Sequence, residues 1–430
     1  MDAVKKWTIY LIFLVAGFAT GIGTLGLFPQ FWLRYGITGL VVHMVFLGIL
    51  GYLAVMETET VMRSGYYFVG LYRKLLRRPS MIIAILITVL MFISYYSANV
   101  MLSLLSPVLG TGTLSRLVAK VIMLGIIFVI LTRAKEKTFA IMAIGSAIFV
   151  IAVTVTAIAF KTQIPENAAF LGMAKHMLIQ THSLSLGMIK SAAERAIYGV
   201  GLGFAFYLML GSFLNERFNP KLIVGVGILI QFIIGILSTI IVVYSLGPTT
   251  PDRLLQYVYG GEEGAIELMG ELPTILAEYK TLLLLIAISV FFAGVTSLLP
   301  TAEVALQSIE ALFKVGRNKA AAYVIGASLL IGIVDSPPTV ADMMLKAVTT
   351  ALFFTALFEM YPLIGGREKP TSLALGVMAV SSAVFLVGGL YALYDVFRDG
   401  GIYILSGLLA LIILAFGIFG SNLIPEETVE

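Results

Sequence analysis

Long apolar stretches follow one another along almost the whole chain, and each reaches the length of about 20 residues that a helix needs to cross a bilayer core. Twelve are read, over 7–33, 38–62, 80–106, 117–132, 138–160, 191–213, 219–246, 280–313, 318–335, 338–364, 371–394 and 400–421. Inside a bilayer no water can satisfy backbone amides, so each stretch is predicted to be helical. The composition agrees: 59% of residues are hydrophobic and 12% charged, against about 45–50% and about 25% in soluble domains. That much apolar surface cannot be hidden in one water-soluble core. The expected fold class is an all-α polytopic membrane protein with twelve transmembrane helices, one domain over 1–430. The first stretch follows Lys5 and Lys6 without a small-residue cleavage site leading into a polar chain. It is therefore read as a retained span and not as a signal peptide.

Placing the N-terminus inside puts "YRKLLRRP", "TRAKEK", "NERFNPK", "LFKVGRNK" and "GGREKP" in the cytoplasm. Seventeen Lys and Arg then lie inside and nine outside, with Arg195 and Lys346 within spans. This bias predicts a multi-pass protein of the plasma membrane with both termini cytoplasmic. The net charge of +4 is carried by those short loops, so no nucleic-acid partner is expected. Two external segments are long. Residues 161–190 show little pattern, whereas 247–279 alternate apolar and acidic positions around a Gly-Gly break. The second is read either as a lid over an outer vestibule or as a solvated loop with surface helices.

Several chemistries are excluded or disfavoured. The chain has no cysteine, which removes disulfides, thiolate metal sites and cysteine nucleophiles. His43, His176 and His182 lack zinc-ligand spacing. No cluster of nucleophile, base and metal ligands marks a membrane enzyme. Repeated pore loops or charged rings, which a channel would need, are also missing from the sequence.

The first stretch contains "AGFATGIGTLGLFP", whose "GIGTLG" fits the G-x-G-x-x-G pattern of a dinucleotide-binding turn. That turn needs a preceding strand, a soluble helix and an acid about 20 residues on, and the flanks "WTIYLIFLV" and "LFPQFWL" offer none of these. Glycine is unfavourable within a helix, and every backbone group freed in a membrane needs a new partner. The sixth stretch carries a similar cluster, "YGVGLGF". Interrupted helices in positions one and six are what two inverted five-helix repeats produce, here 7–160 and 191–364, followed by two additional helices over 371–421. Such breaks point to a transporter's binding site, since half-helix N-termini attract anions and unwound carbonyls attract cations.

Five segments together, "AGFATGIGTLGLFP", "SYYSANV", "YGVGLGF", "GELPTILAEY" and "FFAGVTSLLP", resemble the neurotransmitter:sodium symporter family, in its prokaryotic amino-acid branch with the leucine-transporter fold. The resemblance covers spans one to ten. It implies that a substrate carboxylate meets the amides of Ile22 and Gly23 and the hydroxyl of Tyr96. The amino group would meet carbonyls of Ala19, Tyr198, Gly199 and Gly201. Gly21 stands where monoamine carriers of the family have an aspartate, which implies a substrate bringing its own carboxylate, an α-amino acid. The implied side-chain pocket is Phe92, Tyr96, Tyr198, Phe204, Ser297 and Thr301, aromatic and uncharged, suited to a neutral and hydrophobic side chain. Taken alone, Tyr96 reads equally well as a core or interfacial tyrosine.

The resemblance also implies sodium as the coupling ion. The family's second sodium site corresponds to Gly17, Thr20, Ala293, Thr296 and Ser297, all able to offer neutral oxygens to a hard cation. Thr and Ser in spans also bond their own i−4 carbonyls, the alternative for Thr296 and Ser297. The first sodium site is altered: Ala19, Thr24, Gly199 and Gln231 stand at its positions, so one or two ions are expected. The outer gate departs as well, because the family's arginine and aspartate are replaced by Leu27 and Met344, an apolar gate. Arg195 precedes the second glycine cluster and is the further gate candidate. Glu57 or Glu59 fits the family acid that braces the broken helices. Glu194, Asp342 and Lys346 either snorkel or pair within the vestibule. The expected partners are an amino-acid substrate and the lipid bilayer, with a homodimer left open. The function implied is sodium-coupled amino-acid symport by alternating access, with a sodium-independent or proton-coupled carrier as the alternative.

Overall fold

Helix α1 (Ala3–Ala19) stops where the first glycine cluster begins, and α2 (Ile22–Ser64) starts on its far side. The computed structural model describes residues 3–133, 135–260, 272, 275–364 and 370–424. Residues 261–271 of the segment expected to form a lid, the first residues of "GELPTILAEY" and most of "GGREKP" lie outside the described residues. After α2, which ends on Gly65 in the left-handed region, come Phe68–Gly70 and a π-helical turn over Leu71–Leu75. Then follow α3 (Pro79–Leu109), α4 (Thr113–Leu131), α5 (Lys135–Gln163) and α6 (Leu171–Ile179). The second half runs through α7 (Leu186–Val200), α8 (Phe206–Gly211), α9 (Pro220–Leu246) and α10 (Pro251–Tyr259). It closes with α11 (Lys280–Phe313), α12 (Arg317–Val334), α13 (Pro338–Glu359), α14 (Ser372–Asp399) and α15 (Tyr403–Phe419).

The protein is all-helical, 85% helix with no strand among the described residues. Among the described residues, ten helices are long and apolar enough to cross a membrane. The stretches 7–33 and 191–213 are not among these ten as single helices, because the chain cuts each into shorter pieces. Starts follow local chemistry: Asn219 Oδ1 accepts the Leu222 amide ahead of Pro220, and the Ser185 and Thr371 hydroxyls cap α7 and α14.

Some boundaries differ from the sequence expectation. Span eleven was expected to end at 394, yet α14 continues to Asp399, carrying Asp395, Arg398 and Asp399 along one more helical turn. The featureless 161–190 contains α6, whose Leu171 and Ala174 are buried. Of the two readings of 247–279, the described part is packed: α10 buries Leu254, Tyr257 and Val258. It docks on the start of α2, with Tyr257 Oη donating to the Gly26 carbonyl and Gln30 Nε2 donating to the Tyr257 carbonyl.

Helices α1 and α2 sit at the centre. Glycines on α9 let it close in, since a Cβ at Gly227 would press on Val15 and one at Gly235 would stand 3.0 Å from the Phe28 ring. Gln231 lies one turn from each on the same face, so it is aimed between Val15 and Phe28, at the break. On the other side α11 contacts α3, where Gly294 accommodates Val100.

Candidate functional site

The two breaks use glycine for different reasons. Gly21 is in extended geometry (φ −86°, ψ −179°), open to any residue. Its need is space: a Cβ there would stand 2.9 Å from Tyr96 Oη and 3.5 Å from Ser297 Oγ. In the second break, Gly201 and Gly203 have φ of +83° and +96°, which L-residues rarely adopt, and a Cβ on Gly201 would overlap the Phe18 ring. Ala205 also has positive φ, +57°, a cost that needs local support. Glu359 of α13 supplies it, accepting the amide hydrogens of Gly203 (2.7 Å) and Ala205.

The breaks abut one another. Phe18, at the end of α1, stacks on Phe206 with ring centroids 3.8 Å apart and meets Phe204 edge-on at 6.3 Å. Phe204 packs against Phe92 at 4.8 Å, and Phe92 stacks on Tyr96 at 4.7 Å. Tyr96 Oη accepts the Ile22 amide at 2.6 Å. The structure thus brings Gly21, Ile22, Phe92, Tyr96, Phe204 and Ser297 together. With one acceptor site of its oxygen used by Ile22, the Tyr96 hydroxyl proton remains available to an anion.

The remaining expected site residues fall around this centre. Ala19 ends α1, and Gly23 has only Leu27 within reach of a Cβ, at 3.6 Å. Thr301 is buried one turn beyond Ser297 and donates to its carbonyl at 2.7 Å. Tyr198 lies on the wall of a cavity of about 310 Å³ that Leu27 and Arg195 also line. The Arg195 guanidinium sits 5.3 Å from the Tyr198 ring centroid. Met344 is buried and does not line that cavity.

At the second-site positions, Ser297 Oγ donates to the carbonyls of Gly17 (3.3 Å) and Phe18 (3.1 Å). Thr20 donates to Ala16 at 2.6 Å. Thr296 donates to Phe292 at 2.8 Å and to Ala293 at 3.2 Å, the back-bonding alternative. A Cβ on Gly17 would be 3.0 Å from Thr296 Cβ, so α1 and α11 meet here. Ser297 and Thr296 thus bring α11 against the end of α1 at Gly17, while the Thr20 hydroxyl turns back to its own helix; neutral oxygens of this kind are the donors a hard cation prefers. At the altered first site, a Cβ on Gly199 would stand 3.0 Å from Gln231 Nε2. Gln231 Oε1 is buried and meets no donor among the described residues, an acceptor that a cation would satisfy. Thr24 continues the turn, its amide donating to the Gly21 carbonyl at 3.0 Å.

Three features of the buried and partly buried charges bear on these expectations. The brace on the second break is Glu359; Glu57 is buried in its neighbourhood while Glu59 is only half-buried. Lys120, counted among the outer bases, is 0% exposed and paired with Asp335, also 0% exposed, while Ser94 donates to that carboxylate at 3.1 and 3.2 Å. Of the two readings of Lys346 the structure shows the pair: its ammonium lies 2.7 Å from Asp399, which lines the same cavity, and 3.7 Å from the Tyr403 ring centroid. Lys190 repeats the pattern with Asp395 at 2.7 Å and the Tyr391 ring at 3.8 Å. An ionisable residue within an apolar run, as Lys120 is in "VAKVIMLG", was the available signal.

In the loop after α5, the Glu166 carboxyl is held below its ordinary range, first by hydrogen bonding from Lys175 and then by the Tyr244 hydroxyl. The Lys175 ammonium is correspondingly pushed up by Glu166.

No protein-family model and no curated protein sequence matches the chain.

Proposed function

We propose that the protein is a sodium-coupled symporter of a neutral, hydrophobic α-amino acid, working by alternating access. On this reading the chain crosses the membrane twelve times, as two inverted five-helix repeats and two additional helices, with both termini cytoplasmic. The observation that carries it is the meeting of two helix breaks, Thr20–Gly21 and Gly201–Ala205, through Phe18, Phe204 and Phe206. Broken helices facing each other offer unpaired amides to a carboxylate and unpaired carbonyls to an ammonium or a metal cation. The aromatic wall of Phe92, Tyr96 and Phe204 has the apolar character that favours a hydrophobic side chain over a charged one. The resemblance to the neurotransmitter:sodium symporter family supports the same assignment, as does the contact of Ser297 on α11 with the Gly17 and Phe18 carbonyls of α1.

The test is uptake of labelled neutral amino acids into proteoliposomes of the purified protein. Accumulation driven by an inward sodium gradient and abolished by its dissipation is expected. Accumulation indifferent to sodium replaces this reading with the sodium-independent or proton-coupled carrier. Absence of uptake and of binding across the amino-acid panel removes it.

A further inference from the structure

A cavity of mixed character opens where two of the long apolar helices end, and none of its lining residues belongs to the candidate site. Helix α3 begins at Pro79 and α15 ends at Phe419. Ser80 fastens them together, its hydroxyl lying 2.9 Å from the Gly417 carbonyl and 2.5 Å from Ser421 Oγ. Between these ends and Tyr361, just after α13, lies a space of about 390 Å³. Met81, Ile418 and Phe419 give it apolar walls, whereas Arg78, Tyr361 and Asn422 bring polar ends. Where a membrane helix ends, hydrocarbon gives way to headgroups, and arginine and tyrosine beside apolar side chains suit that boundary. Phe419 and Leu423 are exposed and continue the apolar wall outward.

The charge here has one sign. Lys74, Arg77 and Arg78 fall within five residues, and none of the three forms an ion pair among the described residues. Arg77 has a positive φ, +51°, and the Arg78 amide donates to the Tyr72 carbonyl at 2.8 Å, so the chain reverses just before α3. Arg78 is thereby turned onto the end of α15, where Nη1 donates to the Ile418 carbonyl at 3.3 Å. That uses one of five guanidinium N–H donors. The others suit the paired oxygens of a phosphate.

From this geometry we infer that the cavity is a binding site for an anionic phospholipid, with its phosphate on Arg78 and an acyl chain along Ile418, Phe419 and Leu423. Charge complementarity selects this occupant. A second copy of the chain meeting this face by twofold symmetry sets the same bases against these, and like charges repel. A phosphate neutralises them instead, and a charged headgroup attracts Lys74 and Arg77 as well. The bound lipid joins the start of α3, the helix that carries Phe92 and Tyr96, to the end of α15. The site does not depend on what the protein carries.

Native mass spectrometry of the purified full chain, offered phosphatidylglycerol and phosphatidylcholine at equal concentration, tests the site. Retention of phosphatidylglycerol in preference to phosphatidylcholine is expected. Arg78→Gln, alone and with Arg77→Gln, is expected to weaken that retention by roughly fivefold for each charge removed. Lys319→Gln, which removes an exposed base at the start of α12, is expected to leave it unchanged. Thermal unfolding in phosphatidylcholine vesicles, with and without added phosphatidylglycerol, gives a second readout: the anionic lipid stabilises wild type by mass action, and Arg78→Gln loses that shift. Where Arg78→Gln does not fold, Phe419→Ser keeps every charge, removes an apolar wall and is expected to weaken retention too. Equal retention of both lipids by wild type overturns the site, as does a preference that the Arg78 and Phe419 variants keep in full. Binding of phosphatidylglycerol only after removal of residues 425–430, "PEETVE", assigns the cavity to the chain's own glutamates and overturns it as well.

Discussion

The hydroxyl oxygen of Tyr96 accepts the amide hydrogen of Ile22 at 2.6 Å, bridging α3 to the first amide beyond the break. The same oxygen would lie 2.9 Å from a Cβ at position 21. One tyrosine therefore both holds the break and forbids any side chain there.

Substitution at Gly21 separates space from charge. Gly21→Ala is expected to displace Tyr96 and weaken amino-acid binding by about tenfold, some 1.4 kcal/mol. Gly21→Asp adds a carboxylate beside that of the substrate, in a poorly screened site, and is expected to lose on the order of tenfold more. Isothermal titration with a neutral amino acid measures both. Equal affinities for the two variants would show that no substrate carboxylate lies near position 21.

The hydroxyls of Thr296 and Ser297 are the test of the ion. Thr296→Val with Ser297→Ala keeps shape nearly constant and removes two oxygens. Sodium-stimulated binding is expected to vanish. Because Ser297 also ties α11 to the Gly17 and Phe18 carbonyls, a loss of about 1 kcal/mol in stability without sodium is expected too. A sodium response retained in full by the folded double variant would place the ion elsewhere.

Lys120 and Asp335 are both wholly buried, so removing either leaves an uncompensated charge. Lys120→Met and Asp335→Leu alone are each expected to destabilise by about 3–5 kcal/mol, and together by much less. Thermal unfolding in lipid decides it, and additive losses would mean the pair does not act as a unit.

The vestibule offers two kinds of closure. Leu27→Ala is expected to speed dissociation of bound substrate, because it removes apolar cover from the site. Lys190→Met breaks the partly exposed pair with Asp395 and is expected to change stability by about 0–1 kcal/mol. Rapid-dilution release rates compare them; identical rates for wild type and Leu27→Ala would assign the outer closure to other residues.

Glu166 and Lys175 give a pH signature between α5 and α6. The Glu166 carboxyl is depressed in the folded protein, so its contact is complete above the ordinary carboxylate range and lost as pH falls through the depressed value. Hydrogen exchange over 164–175 is expected to accelerate only in acid, and Glu166→Gln to remove that acceleration. Unchanged acid sensitivity in the variant would point to another group.

Helix breaks are legible in sequence because glycines crowd at 21–26 and 199–203, although Gly23, Gly26 and Gly199 lie inside helices and the breaks fall only at Thr20–Gly21 and Gly201–Ala205. The position of the brace is not, since Glu359 is distant in sequence from Gly203 and Ala205 and nothing local marks it. The burial of Lys120 is hidden for a similar reason: near a helix end, a lysine looks like a loop base until its partner, 215 residues away, is known. The end of α14 was misjudged because "YDVFRD" is polar enough to resemble a loop, yet its acids are used against Lys190 and Lys346.

Gly36 interrupts α2 with φ +57°, and the Ile37 amide beyond it donates to the Gln180 carbonyl at 2.9 Å. The stretch from Ile22 to Gly36 is thus a lever with its fulcrum at Gly36, roughly 20 Å long at helical rise. Tyr257 and Gln30 yoke α10 to that arm. A swing of about 10° at the fulcrum carries the free end through roughly 3–4 Å on a lever of that length. A displacement of that size would take the Ile22 amide out of hydrogen-bond reach of the Tyr96 oxygen, 2.6 Å away, and would carry the yoked α10 with it.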